Sequence, residues 1–307
     1  MGAQSENANR PSTSSEGILG VLLLPLGVAG VYGRSGEYER IVEALAGFIT
    51  RQRNPRAEIV RFPPVVSRTL VEKSGYLQSF PHLLGCVCAL HGDRPQIESA
   101  VEEFLAGKDW TDLLSASELV LSPAACYPIY PLVAARGAVP AGGLLFDVAS
   151  DCFRREPSHD IDRFQSFRMR EYVAIGSPEQ TSSFRSEWMQ IAAEMANSLA
   201  LPWRIKPASD PFFGRGGTLV GRAQIEDELK FELVVPVRSA DTETACMSFN
   251  CHRDHFSQTW KILTETGQSA HTACVAFGMD RIAVAMFANH GLETSRWPSC
   301  VRSALQI

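Results

Sequence analysis

The sequence predicts an α+β domain, with a mainly antiparallel sheet flanked by helices. Three observations carry that expectation. Short runs rich in β-branched and aromatic residues are separated by long insertions, so the regular strand–helix alternation of a parallel sheet is missing. Neither a G-x-G-x-x-G turn nor a G-x-x-x-x-G-K-[ST] loop is present, so a nucleotide that binds here binds by another route. The chain has 307 residues, 45% of them hydrophobic, enough for one large domain to bury a core without disulfide staples.

The elements follow in chain order. Residues 1–17, "MGAQSENANRPSTSSEG", are polar and Ser-rich without apolar periodicity and are expected to form a disordered leader; residues 18–307 are expected to form one folded domain. "GILGVLLLPLGVAGVYG" (17–33) is Gly-rich, broken by Pro25 and short for a membrane span, which leaves a buried strand or hairpin. From 36 to 53, Ile41, Leu45, Phe48 and Ile49 fall on one helical stripe. "AEIVRFPPVV" is a short strand stopped by Pro63 and Pro64 and leading to a helical stretch, and "RPQIESAVEEFLAG" (94–107) is a charged helix. "ELVLSPAACYPIYPLV" reads as a strand and a proline-rich loop. "LLFDVASDCFRRE" and "RFQSFRMREYVAIG" are two strands around a polar loop. A helix with Phe184, Trp188, Ile191, Met195 and Leu199 on one stripe comes next, then strands "KFELVVPV" and "ETACMSFNC", then a final helix from Gly278 or Met279.

Charge narrows the partners. Against 34 acidic residues stand 29 basic ones, and no Lys/Arg block tracks a phosphate backbone, which disfavours nucleic acid. Eight cysteines show neither a paired framework nor zinc-ribbon spacing, as in a reducing cytoplasm.

Two segments carry candidate chemistry. Arg154 and Glu156, two apart, are expected on one face of a strand, and Phe167 and Glu171 on one face of the next. A cation for a phosphate, a carboxylate for an exocyclic amine and a ring for a base make a nucleotide cradle; a solvated hairpin with cross-strand ion pairs is the alternative. In "TACVAFGMDRIAVAMF" (272–287), Arg281 at a helix start is either a salt-bridge residue or an anion ligand, and Cys274 is by default a buried cysteine.

Together these segments resemble motifs 2 and 3 of the class II aminoacyl-tRNA synthetases. Seryl-tRNA synthetases are most similar, with F-R-x-E, a variable loop and F-x-x-x-E; the letters here are Phe153, Arg154, Glu156, Phe167 and Glu171, followed by "FGMDR" at 277–281. The resemblance covers nearly everything after residue 36. "FELVVP" (231–236) is similar to the family's D-x-E-x-W-x-P strand, keeping Glu232 and Pro236, and "CMSFNC" (246–251) to the S-x-S-N segment that ends on Asn250. One departure is informative. The family's T-x-E loop is replaced by "SPAACYPIY", which puts Cys126 near the expected glutamate. Cys126, Glu171 and Cys274 then occupy the positions that bind zinc in the atypical zinc-dependent seryl-tRNA synthetases, and two thiolates with a carboxylate suit Zn²⁺ with one position open.

The resemblance implies a class II synthetase-like catalytic domain that binds ATP bent, with Mg²⁺. Phe167 would stack on adenine, Glu156 accept from its amino group, Arg154 meet the α-phosphate and Arg281 the γ-phosphate; Arg154 and Arg281 are the expected catalytic groups. Glu232 and Asn250 are expected near the substrate. The family's tRNA-grasping arm of ~100 residues has no counterpart among the sequence elements, so tRNA is not the expected acceptor. The chain thus resembles the shortened relatives that load amino acids onto carrier proteins, the amino acid:[carrier protein] ligases. That resemblance implies activation of a small amino acid, glycine or alanine, transfer to a phosphopantetheine thiol, and a homodimer built around the remnant of motif 1, "EIVRFPPVV". Arg204, Lys206, Arg215 and Arg222 are either a docking patch or a solvated face. Two alternatives stand: a synthetase acting with a separate tRNA-binding module, and a regulatory subunit without catalysis.

Overall fold

A computed structural model describes residues 15–307. The expected leader falls outside these residues except for its last three, which open helix α1 (Ser15–Ile18). The 17–33 segment forms a small hairpin, β1 (Leu23–Pro25) against β2 (Tyr32–Arg34). It is not the buried element expected: Ile18, Leu22 and Leu23 enter the core, whereas Val21, Leu24, Leu26 and Val28 face outward. Positive φ at Gly20, Gly27 and Gly30 turns the chain too tightly for both faces to be covered.

Helix α2 (Gly36–Arg51) begins where the Ser35 hydroxyl accepts from Tyr38 N–H, and its stripe of Tyr38, Ile41, Leu45, Phe48 and Ile49 is buried as the spacing requires. Strand β3 (Glu58–Arg61) ends before the two prolines. There follow β4 (Val65–Ser67), α3 (Arg68–Lys73), α4 (Tyr76–Ser79), β5 (Cys86–Leu90), α5 (Arg94–Leu105) and β6 (Leu114–Leu121). Strands β4, β6 and β5 form a separate antiparallel sheet in that order. The expected proline-rich loop contains helix α6 (Ile129–Arg136) instead. Pro131 lies in its first turn, where a missing N–H costs no intrahelical bond.

The rest builds the main sheet. It comprises β7 (Leu144–Phe153), β8 (Ser166–Gly176), β9 (Arg204–Pro207), β10 (Lys230–Ser239), β11 (Thr242–Arg253) and β12 (His271–Gly278). Between them lie α7 (Pro178–Ser198), α8 (Gly214–Glu226) and α9 (His255–Trp260), and α10 (Met279–His290) and α11 (Ser299–Leu305) close the chain. The helix expected at 278–279 therefore starts there but is followed by another. Strand order is β3-β7-β8-β12-β11-β10-β9, antiparallel at every step except the parallel β3–β7 edge. The central strands match the prediction.

Alternate residues of this sheet serve two layers. One face carries Tyr172, Leu233, Phe249, Val275 and Phe277 into a core closed by α2, α7, α10 and α11. Trp188 of α7 is the largest wedge there, with its ring 4.9 Å from Tyr172 and 5.9 Å from Phe277. The other face packs Val148, Val173 and Ile175 under α6 and α9 in part and leaves the remainder open as a cavity. None of the helices among the described residues is long and apolar enough to cross a membrane.

Candidate active site

The cavity floor is set by strand register. Glu171 of β8 lies opposite Val148 on one side and Ala276 on the other, and Cys274 of β12 lies opposite Asn250 of β11, which lies opposite Lys230 of β10. Side chains two apart share a face, so Phe167, Met169 and Glu171 point with Cys274, Ala276, Asn250 and Glu232 into one space. Its volume is ≈ 510 Å³. All nine residues singled out in the sequence line it: Cys126, Arg154, Glu156, Phe167, Glu171, Glu232, Asn250, Cys274 and Arg281.

Two arginines line the cavity. Arg154 and Glu156 do not share a strand face as expected, because β7 stops at Phe153 and the Glu156 N–H turns back to the Arg154 carbonyl at 2.7 Å. Both still reach the cavity. Arg154 Nε donates to the Pro123 carbonyl at 3.1 Å, and its guanidinium lies 5.6 Å from the Phe167 ring centre. Glu156 is only loosely paired, 3.7 Å from Arg163. Arg281, in the first turn of α10, donates from Nε to the Asp162 carbonyl at 3.1 Å. Among the described residues neither Arg154 nor Arg281 has a carboxylate partner. Burial, then the neighbouring Arg154, draws the Arg281 pKa down. Two half-buried guanidiniums without a salt-bridge partner thus face one cavity, an arrangement that would pair with an anionic ligand.

A second cluster in the lining gathers two thiols and a carboxyl. Cys126, in the loop before α6, donates its backbone N–H to Glu171 Oε1 at 3.0 Å. Its thiol is hydrogen-bonded with Cys274, which together with burial pushes the Cys126 pKa well up. Burial likewise raises the Glu171 carboxyl. At Cys274 the hydrogen bond from Cys126 pulls down, but burial and the Glu171 charge prevail and the thiol is raised. Asn250 Nδ2 lies 3.3 Å from Cys274 Sγ. Among the described residues no group of three or more His, Cys, Asp and Glu side chains is arranged as a metal cage. The donor set nonetheless fits a divalent ion. Two thiols and a carboxyl crowd together, and the buried Tyr130 hydroxyl beside them has the Cys126 thiol as its neighbour.

Three cavity residues, His252, Lys230 and Asp210, carry no motif signal. Tyr130 and His252, whose Nε2 lies 3.8 Å from Cys274 Sγ, sit beside the thiols. Lys230 pairs with Asp210 at 2.5 Å and with Glu232 at 3.2 Å. Lys230 holds the place of the aspartate in the D-x-E-x-W-x-P strand, a departure visible in the sequence; Asp210, its partner, lies in a loop whose path the sequence does not reveal. Arg204 and Lys206 of the expected patch are both engaged by Glu243, while Arg215 and Arg222 ride on α8.

An antiparallel sheet with the cavity on one face and helices on the other defines the catalytic core of the seryl-tRNA synthetases. The solved synthetase of M. kandleri, in complex with A. aeolicus tRNASec, superposes with a TM-score of 0.78 at 22% identity over 92% of this chain and 58% of its own. The Pyrococcus horikoshii enzyme complexed with ATP gives 0.62 at 17% identity. Type-2 serine–tRNA ligase of Methanopyrus kandleri is 26% identical over 77% of this chain, which spans about half (49%) of that relative. No family model matches. Much nearer are two proteins of Bradyrhizobium diazoefficiens: amino acid–[acyl-carrier-protein] ligase 2, 54% identical over 99% of this chain and 91% of its own length, and ligase 1, 59% identical over 92% and 86%. The chain belongs to the amino acid–[acyl-carrier-protein] ligase family, and it is a ligase.

Proposed function

We propose that this ligase activates a small amino acid, glycine or alanine, with ATP and Mg²⁺ and transfers it to the phosphopantetheine thiol of a carrier protein. One observation carries the reading: an anion-seeking arginine pair and a cation-seeking Cys126–Glu171–Cys274 cluster line the same cavity. The purine would stack on Phe167, with Glu156 accepting from its amino group. Arg154 would neutralise the α-phosphate and Arg281 the γ-phosphate. Cys126, Glu171 and Cys274 would hold Zn²⁺, which when bound supplies a Lewis acid for the substrate's α-amino group. Glu232 and Asn250 border the space left for the side chain, and the resemblance to the family points to glycine or alanine.

The amino acid carboxylate is already a nucleophile at neutral pH, so no general base is needed. It displaces pyrophosphate from the α-phosphorus, and alignment plus charge neutralisation supplies the rate. The carrier thiol then attacks the aminoacyl-adenylate and releases AMP. The names of the two Bradyrhizobium relatives support a carrier protein over tRNA. Eight free cysteines support a cytoplasmic location, and residues 18–307 form the catalytic unit. The edge strand β3, where Ile59 is 53% exposed, is the proposed centre of a homodimer.

The test is pyrophosphate exchange with an amino-acid panel, followed by acceptor transfer. Exchange with glycine or alanine and label on phosphopantetheinylated carrier supports the reading. Label retained on tRNA alone shifts it to a synthetase working with a separate tRNA-binding module, and no exchange at all shifts it to a regulatory subunit.

A further inference from the structure

The proposed purine platform and the proposed γ-phosphate ligand come from distant segments. Phe167 opens β8 and Arg281 lies in the first turn of α10. Bent ATP can meet both only if their separation is fixed; the β8–β12 register brings the two segments together, pairing Met169 with Gly278, and a buried carboxylate ties them beyond that ladder. Asp280 is fully buried. It accepts from the Arg168 backbone N–H at 2.6 Å and from Arg168 Nη2 at 2.7 Å. Its Oδ1 also lies 3.0 Å from Arg34 Nε and 3.2 Å from the Tyr38 hydroxyl. Arg34 reaches further, donating from Nη2 to the Ser166 carbonyl at 3.3 Å.

Phe167 is therefore bracketed. The carbonyl before it is held by Arg34 and the amide after it by Asp280, whose own chain neighbour is Arg281. Nothing in this bracket belongs to the Cys126–Glu171–Cys274 cluster. Glu171 lies one strand turn further on, and Cys126 and Cys274 make none of these bonds.

We propose that Asp280 and Arg34 are positioning residues that set the distance between the Phe167 ring and the Arg281 guanidinium, and so the folded conformation of bound ATP. The inference rests on the ATP assignment above. It assigns a role to β2, since Arg34 belongs to the N-terminal hairpin rather than to either motif. Adenosine needs only the ring and pyrophosphate only the guanidinium. The bracket matters to the ligand that spans them.

The experiment is amino-acid-dependent pyrophosphate exchange, run with glycine and with alanine, on Arg34→Met and Asp280→Asn. Both variants are expected to raise the KM for ATP about tenfold through misplacement of the two contacts. The amino acid KM, the zinc content, and inhibition by adenosine alone and by pyrophosphate alone stay within about twofold of the parent, a split that general loosening would not produce. A KM for ATP within about twofold of the parent in the variants overturns the proposal, and so does a parallel loss of ATP, adenosine and amino acid affinity. Where Asp280→Asn does not fold, Arg34→Met decides by the same criteria, because Asp280 then keeps Arg168. Phe167→Ala and Arg281→Ala run beside them: if these leave the KM for ATP unchanged, the ATP assignment itself has failed, which is a different result from a silent Arg34.

Discussion

Cys126, Glu171 and Cys274 show what crowding does to acids. In a metal-free site each is pushed toward its protonated form, Cys126 by its hydrogen bond with Cys274 and by burial, and Glu171 by burial. A divalent ion reverses that preference, since thiolates and carboxylates ligate only when deprotonated. Cys126→Ala is expected to lower zinc to near background by elemental analysis and to abolish amino acid activation. Its thermal midpoint should stay within about 5 °C of the parent, because an open catalytic site contributes less to folding than a structural one. Zinc affinity should also depend on pH. The two thiols, raised from an already alkaline value, hold their protons at neutral pH, and zinc must displace them. Affinity therefore rises with pH, with about one to two protons released per zinc, and chelator competition at several pH values measures the slope. The chemistry of these three residues was legible in residue type and motif order, whereas their common cavity was not, because 45 to 148 positions of chain separate them.

At the level of elements, α7 and α8 make an instructive pair. The α7 stripe of Phe184, Trp188, Met195 and Leu199 announces a helix with one buried face, and Trp188 is buried between Tyr172 and Phe277. Trp188→Ala should cost about 3–5 kcal/mol, the usual loss for removing a core aromatic ring, read from the urea midpoint of unfolding. Helix α8 escaped notice because "GRGGTLVGRAQIE" holds four glycines, each unfavourable in a helix interior. Tertiary contact overrides that propensity. A Cβ on Gly217 would come within 2.6 Å of the Phe212 backbone, so the close approach itself requires glycine. The reciprocal pair of Asp210 and Gln224 then ties the preceding loop to the helix.

For the molecule as a whole, the proposed dimer places its contact at a sheet edge. Strand β3 pairs with β7 on one side only and offers Ile59 and unpaired backbone groups on the other. Sedimentation equilibrium should give twice the chain mass, and Ile59→Asp should shift the species toward the monomer by burying a charge at the proposed contact. Label on tRNA and not on carrier would leave this prediction standing, since it depends on the edge and not on the acceptor.

Periodicity and residue type determined the α+β class, the central strands and the helix at Met279, because each is written in neighbours a few positions apart. Tertiary structure alone decided that β7 ends before Arg154, that α6 and α8 are helices, that Lys230 meets Asp210, and that Arg34 and Asp280 bracket Phe167. Those facts depend on pairings between distant segments, whose register is fixed only when the sheet closes and the helices cover its apolar face.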